Sequence, residues 1–349
     1  MSKKAGTGTP KSSSRRNFLK TTGAVTAGLV AHSLSPSPVF GMPPLPSNPA
    51  TPESMPTRNL GRTGYRVGIF SLGGQATIEQ PNKEAEAVAI VEKALDLGVN
   101  YIDTAAQYGG TDRWSQRYIG QVMKRRRKEV YLASKTHDRT RDGSMKLLEE
   151  SLRLLNTDHL DAWQLHHITT QSDVDQIFAR GGAIEALQAA RDQKMVRFLG
   201  VTGHTDPELL MECLRRFPFD QILLAVNAAD PHHLSFQEKL LPMAVEKQMG
   251  IIGMKIPSRG RLLANWPAIG PYGGGKKQAG PLGMKDALYY VLTLPVSTVI
   301  IGCDTIEQLN ENVQLAREFT PLSEQQRTEL TAKAAPVARD ALFFRRWDT

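Results

Sequence analysis

Short apolar runs alternate with amphipathic stretches along the chain from residue 57 onward. The apolar runs are predicted to be strands, and they end near Gly73, Asp103, Ser134, Leu165, Val201, Ala225, Met254 and Ile301. Most successive ends lie about 30 residues apart, which is the length that a strand, a helix and two short loops require. The pattern therefore predicts a repeated strand–helix unit.

The amphipathic stretches are predicted to be helices at residues 83–97, 114–125, 143–155, 174–193, 207–216, 236–248, 285–292 and 305–317. Eight strands alternating with eight helices favour an α/β fold, the (β/α)8 or TIM barrel. An open doubly wound sheet is the alternative, and it prefers a Gly-x-Gly-x-x-Gly turn after the first strand. Residues 72–75 read Leu-Gly-Gly-Gln, which does not fit that turn. The barrel is the predicted architecture.

The barrel domain is expected to span residues 57–349, with additions at both ends. A β-hairpin is predicted around residues 59–64, a helix over residues 322–341 is expected to close the barrel, and residues 343–347 form a candidate docking tail. A Gly- and Pro-rich loop at residues 270–281 follows the seventh strand, on the face where barrels carry their active sites. This loop is a candidate lid, and a plain flexible insertion is the alternative.

Residues 1–41 have the composition of an export signal. The pair Arg15-Arg16 is followed by Phe-Leu-Lys and by a mildly apolar run that is too short to span a bilayer. The order resembles the twin-arginine (Tat) signal of bacteria, and a basic tail with a chance Arg pair is the alternative. The resemblance implies export by the twin-arginine machinery to the periplasm, or retention at the membrane if the signal stays uncleaved. Residues 42–56, dense in Pro and Ser, are predicted to be a linker without fixed structure.

Charge and cysteine content exclude two classes of protein. The formal net charge is +8, but six of the positive charges lie before residue 41 with no acid among them, which leaves +2 for the rest. Because the body of the chain is nearly neutral, nucleic-acid binding is excluded as its main activity. Two cysteines, Cys213 and Cys303, are too few for a disulfide framework and are predicted to be buried free thiols.

Four polar residues follow three neighbouring predicted strands. Asp103 and Tyr108 come at the end of one, and Lys135 and His166 at the ends of the next two. Strand ends in a barrel meet at one rim, so we expect these side chains to converge. An ammonium beside a phenol favours the phenolate, which suits Tyr108 for proton transfer at a substrate oxygen. Asp103 would orient Lys135, and a neutral His166 would hydrogen-bond the same oxygen.

Three of these four residues also have a structural interpretation when taken singly: Asp103 as a loop cap, Lys135 as a solvated lysine and Tyr108 as a rim aromatic. Their common spacing is what favours the catalytic interpretation. His167 is expected to point away from His166 and to be structural. The pair at residues 232–233 has no acidic or cysteine partner at metal-ligand spacing, so no metal site is predicted.

Over residues 58–319 the sequence resembles the aldo/keto reductase family. The motifs that carry the resemblance lie at residues 59–64, 101–109, 133–136, 161–166, 200–202, 299–302 and 308–312. The resemblance implies a catalytic tetrad of Asp103, Tyr108, Lys135 and His166, with Tyr108 as general acid or base. It implies NADP- or NAD-dependent interconversion of a carbonyl and an alcohol on a small or sugar-like substrate.

The resemblance also implies a set of nucleotide contacts: Thr202, Asn227, Lys255, Gly302, Thr305, Gln308 and Asn312. The last four match positions that hold the adenosine phosphate end, and a glycine turn leading into a helix N-terminus suits a phosphate.

Several positions depart from the family pattern. Gly203 and His204, Leu223 and Met254 replace residues that usually contact the nicotinamide. Asp304 stands where basic or hydroxyl residues often meet the ribose 2′-phosphate, so the choice between NADP and NAD stays open. Gln75, Trp114 and His137 are expected to shape the substrate pocket.

Two other functions compete with an oxidoreductase. The departures at the nicotinamide favour an exported nucleotide-binding sensor or partner subunit with vestigial chemistry. A cofactor-free sugar isomerase or lyase on the same barrel is disfavoured by the intact segment at residues 302–312. The sequence predicts neither the individual substrate nor the oligomeric state.

Overall fold

The computed structural model describes residues 41–264 and 279–347. The expected signal segment up to residue 40 lies outside the described residues, as do residues 265–278, which include most of the candidate lid at 270–281. The chain from Met42 to Thr349 forms one compact unit. Among the described helices, none is long and apolar enough to cross a membrane.

Eight parallel strands close into a barrel in which each strand pairs with the next along the chain and the last pairs with the first. They are β3 Phe70–Gly73, β4 Tyr101–Asp103, β5 Tyr131–Thr136, β6 Leu160–Leu165, β7 Val196–Gly203, β8 Gln221–Ala225, β9 Gly250–Met254 and β10 Thr298–Ile301. Strands β1 Thr57–Asn59 and β2 Arg66–Gly68 form the antiparallel hairpin ahead of the barrel. The (β/α)8 prediction and the predicted strand ends are confirmed.

Helices cover the outside of the barrel. They are α1 Thr51–Ser54, α2 Glu84–Asp96, α3 Trp114–Arg126, α4 Arg141–Leu154, α5 Gln171–Phe178, α6 Ala183–Asp192, α7 Pro207–Arg216, α8 Leu240–Glu246, α9 Met284–Thr293, α10 Ile306–Arg317, α11 Glu324–Ala334 and α12 Ala338–Ala341.

Three helix predictions were wrong in extent. The helix predicted over 174–193 is two helices, α5 and α6, because Gly181 adopts a φ of +74° between them. The helix predicted over 236–248 is shorter, since Pro242 is tolerated only in a first turn and α8 begins just before it. The C-terminal helix breaks into α11 and α12 at Pro336, which lacks the N–H that an α-helix needs.

The predicted linker has a fixed structure. The Asn48 side chain donates to the carbonyls of Leu95 and Val99 at 2.7 and 3.2 Å, and Thr51 Oγ1 donates to Gly98 O at 2.8 Å. These carbonyls lie where helix α2 ends and leaves acceptors without intrahelical donors. The prediction that residues 42–56 are unstructured was therefore wrong, because two polar side chains fix this segment to the barrel.

The interior of the barrel is filled at its N-terminal end. The ring of Tyr131 packs between those of Tyr65 and Tyr101, with centroids 4.9 and 5.1 Å away. Leu60 and Val67, from the hairpin region, join the same buried cluster. Because side chains fill this end, space for a ligand is left at the opposite rim, where the strands end.

The C-terminal tail docks on the barrel of its own chain. The Arg345 guanidinium is fully buried, pairs with the Asp230 carboxylate and donates to the carbonyls of His204 and Ala225 at 2.6 and 3.0 Å. Trp347 stacks on His233 with ring centroids 3.7 Å apart. The tail therefore closes over the C-terminal ends of β7 and β8. Both cysteines are buried free thiols, as predicted.

Candidate active site

Strand register brings the four predicted catalytic residues to one rim. Asp103 ends β4 and lies level with Ala133 of β5, and Lys135 lies level with Gln164 of β6. His166 follows β6 directly, and Tyr108 stands in the loop after β4. The convergence that the sequence led us to expect is present in the structure.

The Lys135 ammonium has three oxygen acceptors. Its Nζ donates to the Asp103 carboxylate, to Thr104 O at 2.9 Å and to the Tyr108 hydroxyl at 3.4 Å. The second Asp103 oxygen accepts from Gln164 Nε2 at 3.3 Å. Both charged side chains are 1% exposed, so water does not compete for their hydrogen bonds. The pair holds the ammonium against the phenol.

Burial shifts both groups of this pair. It raises the pKa of Asp103 and lowers that of Lys135, and in each case the charge of the partner opposes the shift. Because oxygen atoms surround the ammonium on three sides, we take the pair as ionised. The lowered pKa of Lys135 makes it a better proton donor than an exposed lysine.

His166 completes the set as a neutral imidazole. Burial and then the charge of Lys135 lower its pKa well below the usual value. Its ring lies 5.8 Å from the Tyr108 ring, centroid to centroid, at an interplanar angle of 76°. Its Nδ1 is buried without a hydrogen-bond partner among the described residues. A neutral imidazole here can exchange a hydrogen bond with a ligand without adding charge.

A cleft of 620 Å³ opens beside these residues, within the range for pockets that bind small molecules. Asp103 and Tyr108 line it together with the segments that follow β3, β9 and β10. Gly73 and Gly302 face each other across two neighbouring strands. A Cβ at Gly73 would lie 3.0 Å from Gly302 N, and one at Gly302 would lie 3.0 Å from Gln75 O. The two glycines therefore allow the backbone after β3 and the backbone after β10 to approach closely at this part of the cleft.

Four of the seven expected nucleotide contacts line this cleft: Lys255, Gly302, Gln308 and Asn312. Thr305 does not line it but caps helix α10, where its hydroxyl accepts from Gln308 N at 3.3 Å. Thr202 and Asn227 are buried outside the lining. Asn227 bonds Lys255 O at 3.0 Å and Ala229 N at 2.9 Å, so both its polar atoms already have partners.

The residues present fit a dinucleotide. Gly302, which precedes α10, and Gln308, in its first turn, both line the cleft, and a helix N-terminus favours phosphate. Lys255 and Arg259 add two cationic side chains to the same lining. The Lys255 amine has no hydrogen-bond or ion-pair partner among the described residues, and burial and then the charge of Arg259 lower its pKa to about 7. An anion beside this amine would supply the missing partner.

The structure also corrects the list of pocket residues. Gln75 lines the cleft, whereas Trp114 and His137 do not, and Trp114 stacks on Tyr118 at 5.7 Å. Glu79, in the 3₁₀ turn after β3, is a lining residue that the sequence did not indicate. No periodicity marks such a short turn, so only its position after a strand end could have suggested it.

His167 and His204 pack beside His166, and none of these three histidines lines the cleft. His167 Nδ1 is 3.1 Å from His204 Nδ1, and burial lowers the pKa of both rings. The arrangement agrees with a structural role for His167. Within the described ranges, no group of three or more His, Cys, Asp or Glu side chains could hold a metal ion.

Comparison with known proteins decides the family. The sequence model of the aldo/keto reductase family matches residues 66–273, which is more than half of the chain. The chain belongs to the aldo/keto reductase family. A model of the twin-arginine translocation pathway signal sequence matches residues 12–32, so this family member carries a Tat signal at its N-terminus.

Relatives match over most of their length. The uncharacterized oxidoreductase YqkF of Bacillus subtilis is 27% identical over 75% of this chain and 91% of its own. L-galactose dehydrogenase of Arabidopsis thaliana is 29% identical over 80% of this chain and 94% of its own. The holo form of aldo-keto reductase AKR11C1 from Bacillus halodurans superposes with a TM-score of 0.65 at 25% identity, over 80% of this chain and 96% of its own. The chain is thus an oxidoreductase of this family.

Proposed function

We propose that this family member interconverts a carbonyl group and an alcohol on a small or sugar-like substrate, with NADP or NAD as cofactor. The observation that carries the proposal is the position of the Tyr108 hydroxyl, 3.4 Å from a buried ammonium and at the edge of a cleft. A phenol so placed can exchange a proton with a substrate oxygen in the cleft.

In the direction of reduction, Tyr108 donates its phenolic proton to the carbonyl oxygen. The Lys135 ammonium stabilises the phenolate that remains, and Asp103 keeps the ammonium in place. The neutral His166 hydrogen-bonds the same oxygen and orients the carbonyl without bringing a second charge. When bound, a reduced nicotinamide nucleotide would donate a hydride to the carbonyl carbon, and an oxidised one would accept a hydride from the alcohol carbon in the reverse direction.

The nucleotide is held by two groups of residues. Gly302, Gln308 and Asn312 hold the adenosine phosphate end, Thr305 fixes the start of the helix that carries Gln308, and Lys255 supplies a positive charge nearer the tetrad. Thr202 and Asn227 lie outside the cleft lining and support the nicotinamide end through their neighbours. The Thr202 hydroxyl is buried without a partner, and Asn227 positions the backbone of Lys255.

We propose that residues 1–41 form a signal segment and that residues 42–349 form the exported domain. The Tat signal at residues 12–32 supports this division. The protein is expected in the periplasm, or at the membrane if the signal is retained. Fractionation of cells that make the wild type and an Arg15→Lys, Arg16→Lys variant tests this, because the variant should stay in the cytoplasm.

A second function, a nucleotide-binding sensor, is favoured by one observation. The Asn227 side chain is fully buried outside the cleft lining and is bonded to backbone groups of Lys255 and Ala229, so it does not face a nicotinamide in the cleft. The exported protein, purified with its nucleotide, separates the two functions when carbonyl compounds are added. A cofactor that is oxidised and can be reduced again supports the enzyme, and one that stays inert supports the sensor.

A further inference from the structure

Glu79 is a buried carboxylate in the cleft with no role in the tetrad. It ends the 3₁₀ turn Ala76–Glu79, is 6% exposed and lines the same cleft as Tyr108. Burying a carboxylate is unfavourable unless hydrogen-bond donors surround it. A buried acid beside a catalytic group is therefore a candidate for ligand recognition.

Glu79 has acceptor capacity left over. Gln75 Nε2 lies 3.3 and 3.2 Å from its two oxygens, and no lysine or arginine forms an ion pair with it among the described residues. The Ala76 backbone also hydrogen-bonds the carboxylate. Because a carboxylate offers about four acceptor sites, these two donors do not saturate it. Burial raises the pKa of Glu79, whereas the Gln75 hydrogen bond and the charges of Arg259 and Lys255 oppose that shift.

The turn that carries Glu79 lies against the loop that carries Tyr108. A Cβ at Gly109 would lie 3.0 Å from the Glu79 carbonyl oxygen, and Gly109 adopts a φ of +84°. The two segments are thus in backbone contact. A substrate whose carbonyl reaches the Tyr108 hydroxyl would place its neighbouring atoms toward this turn.

We propose that Glu79, oriented by Gln75, is a specificity-determining residue that accepts hydrogen bonds from hydroxyl groups next to the substrate carbonyl. The substrate class that fits is a polyhydroxylated aldehyde or ketone. This inference rests on the proposed function. A substrate without hydroxyl groups would leave the carboxylate desolvated and without new donors, and sites of this kind reject such analogues strongly.

Glyceraldehyde and propanal form a matched pair for the test, since both are three-carbon aldehydes and only the first has hydroxyl groups. We expect the wild type to prefer glyceraldehyde. Glu79→Gln should lower kcat/KM for glyceraldehyde by about 10- to 150-fold, the range for a lost hydrogen bond to a charged group. In the same variant kcat/KM for propanal should stay within about 3-fold of the wild-type value, because propanal has no hydroxyl group to lose a hydrogen bond to Glu79.

Asp304→Asn is the control, because it removes another carboxylate that lines the cleft. It should leave the ratio of the two kcat/KM values as in the wild type. If Glu79→Gln does not fold, Gln75→Leu gives the second measurement. That variant keeps the Glu79 carboxylate but removes the Gln75 hydrogen bond that orients it. It should lower kcat/KM for glyceraldehyde and leave kcat/KM for propanal unchanged.

An equal loss on both aldehydes, or a wild type that prefers propanal, overturns the inference and leaves the proposed function standing. A wild type that turns over neither aldehyde with either nucleotide contradicts the proposed function, and the inference fails with it. Thermal unfolding and nucleotide titration of each variant distinguish these outcomes from a loss of fold.

Discussion

Replacing Asp103 by Asn removes the charge that faces the buried Lys135 ammonium. Both side chains are 1% exposed, so no water replaces the lost carboxylate. Breaking a buried ion pair by removing one partner costs about 3–5 kcal/mol, because the other charge is left buried without compensation. We expect Asp103→Asn to lower the free energy of unfolding by about that amount at pH 7.

The pH dependence of this loss has a defined sign. Asp103 raises the pKa of Lys135 against the effect of burial, so the variant lowers that pKa further. In the unfolded chain the lysine keeps its ordinary pKa of about 10.4 and binds a proton that the folded variant releases. Since the unfolded state then binds more protons, the stability of the variant rises with pH toward that value.

Urea denaturation of the wild type and the variant, at pH 7 and at pH 10, measures both effects. The free energies of unfolding of the wild type and of Asp103→Asn should differ less at pH 10 than at pH 7. The double variant Asp103→Asn, Lys135→Met is the control, and it should be less destabilised than Asp103→Asn alone because no unpaired charge remains. A loss below about 1 kcal/mol at pH 7, or a difference that widens with pH, would refute the reasoning.

Two further predictions concern the tail and the nucleotide. Asp230→Ala removes the partner of the buried Arg345 and should lower the free energy of unfolding by about 3–5 kcal/mol, measured by urea denaturation. A loss below about 1 kcal/mol would show that this ion pair does not anchor the tail. Nucleotide affinity should fall as pH rises through about 7, because burial lowers the pKa of Lys255 to about 7 and only the ammonium attracts a phosphate. Lys255→Arg should remove this pH dependence in a fluorescence titration, and a wild type with a flat profile would contradict the assignment.

The barrel and the convergence of the four candidate catalytic residues could be predicted because both depend on local sequence. The buried strands are mostly apolar runs, and Asp103, Lys135 and His166 stand at or beside the ends of three neighbouring ones. Once the repeat was recognised, the closed topology placed those ends at one rim. Backbone register in the structure follows the same order.

The features that were missed depend on contacts between distant parts of the chain. Asn48 and Thr51 are ordinary linker residues until the end of helix α2 offers them carbonyl acceptors. Arg345 is an exposed tail residue by composition, and only its pairing with Asp230 makes it part of the core. Glu79 lies in a turn too short for any periodicity, so its burial could not be read from the sequence.

The most direct test of the proposed function is Tyr108→Phe, which removes the hydroxyl 3.4 Å from Lys135 Nζ and keeps the ring. The general acid contributes about 100- to 10,000-fold to such reactions, so kcat for carbonyl reduction should fall at least that far. Nucleotide affinity, measured by titration of the same preparation, should stay within about 3-fold of the wild type, since no bond to the cofactor is lost. Carbonyl turnover that survives this change would contradict the proposed role of Tyr108.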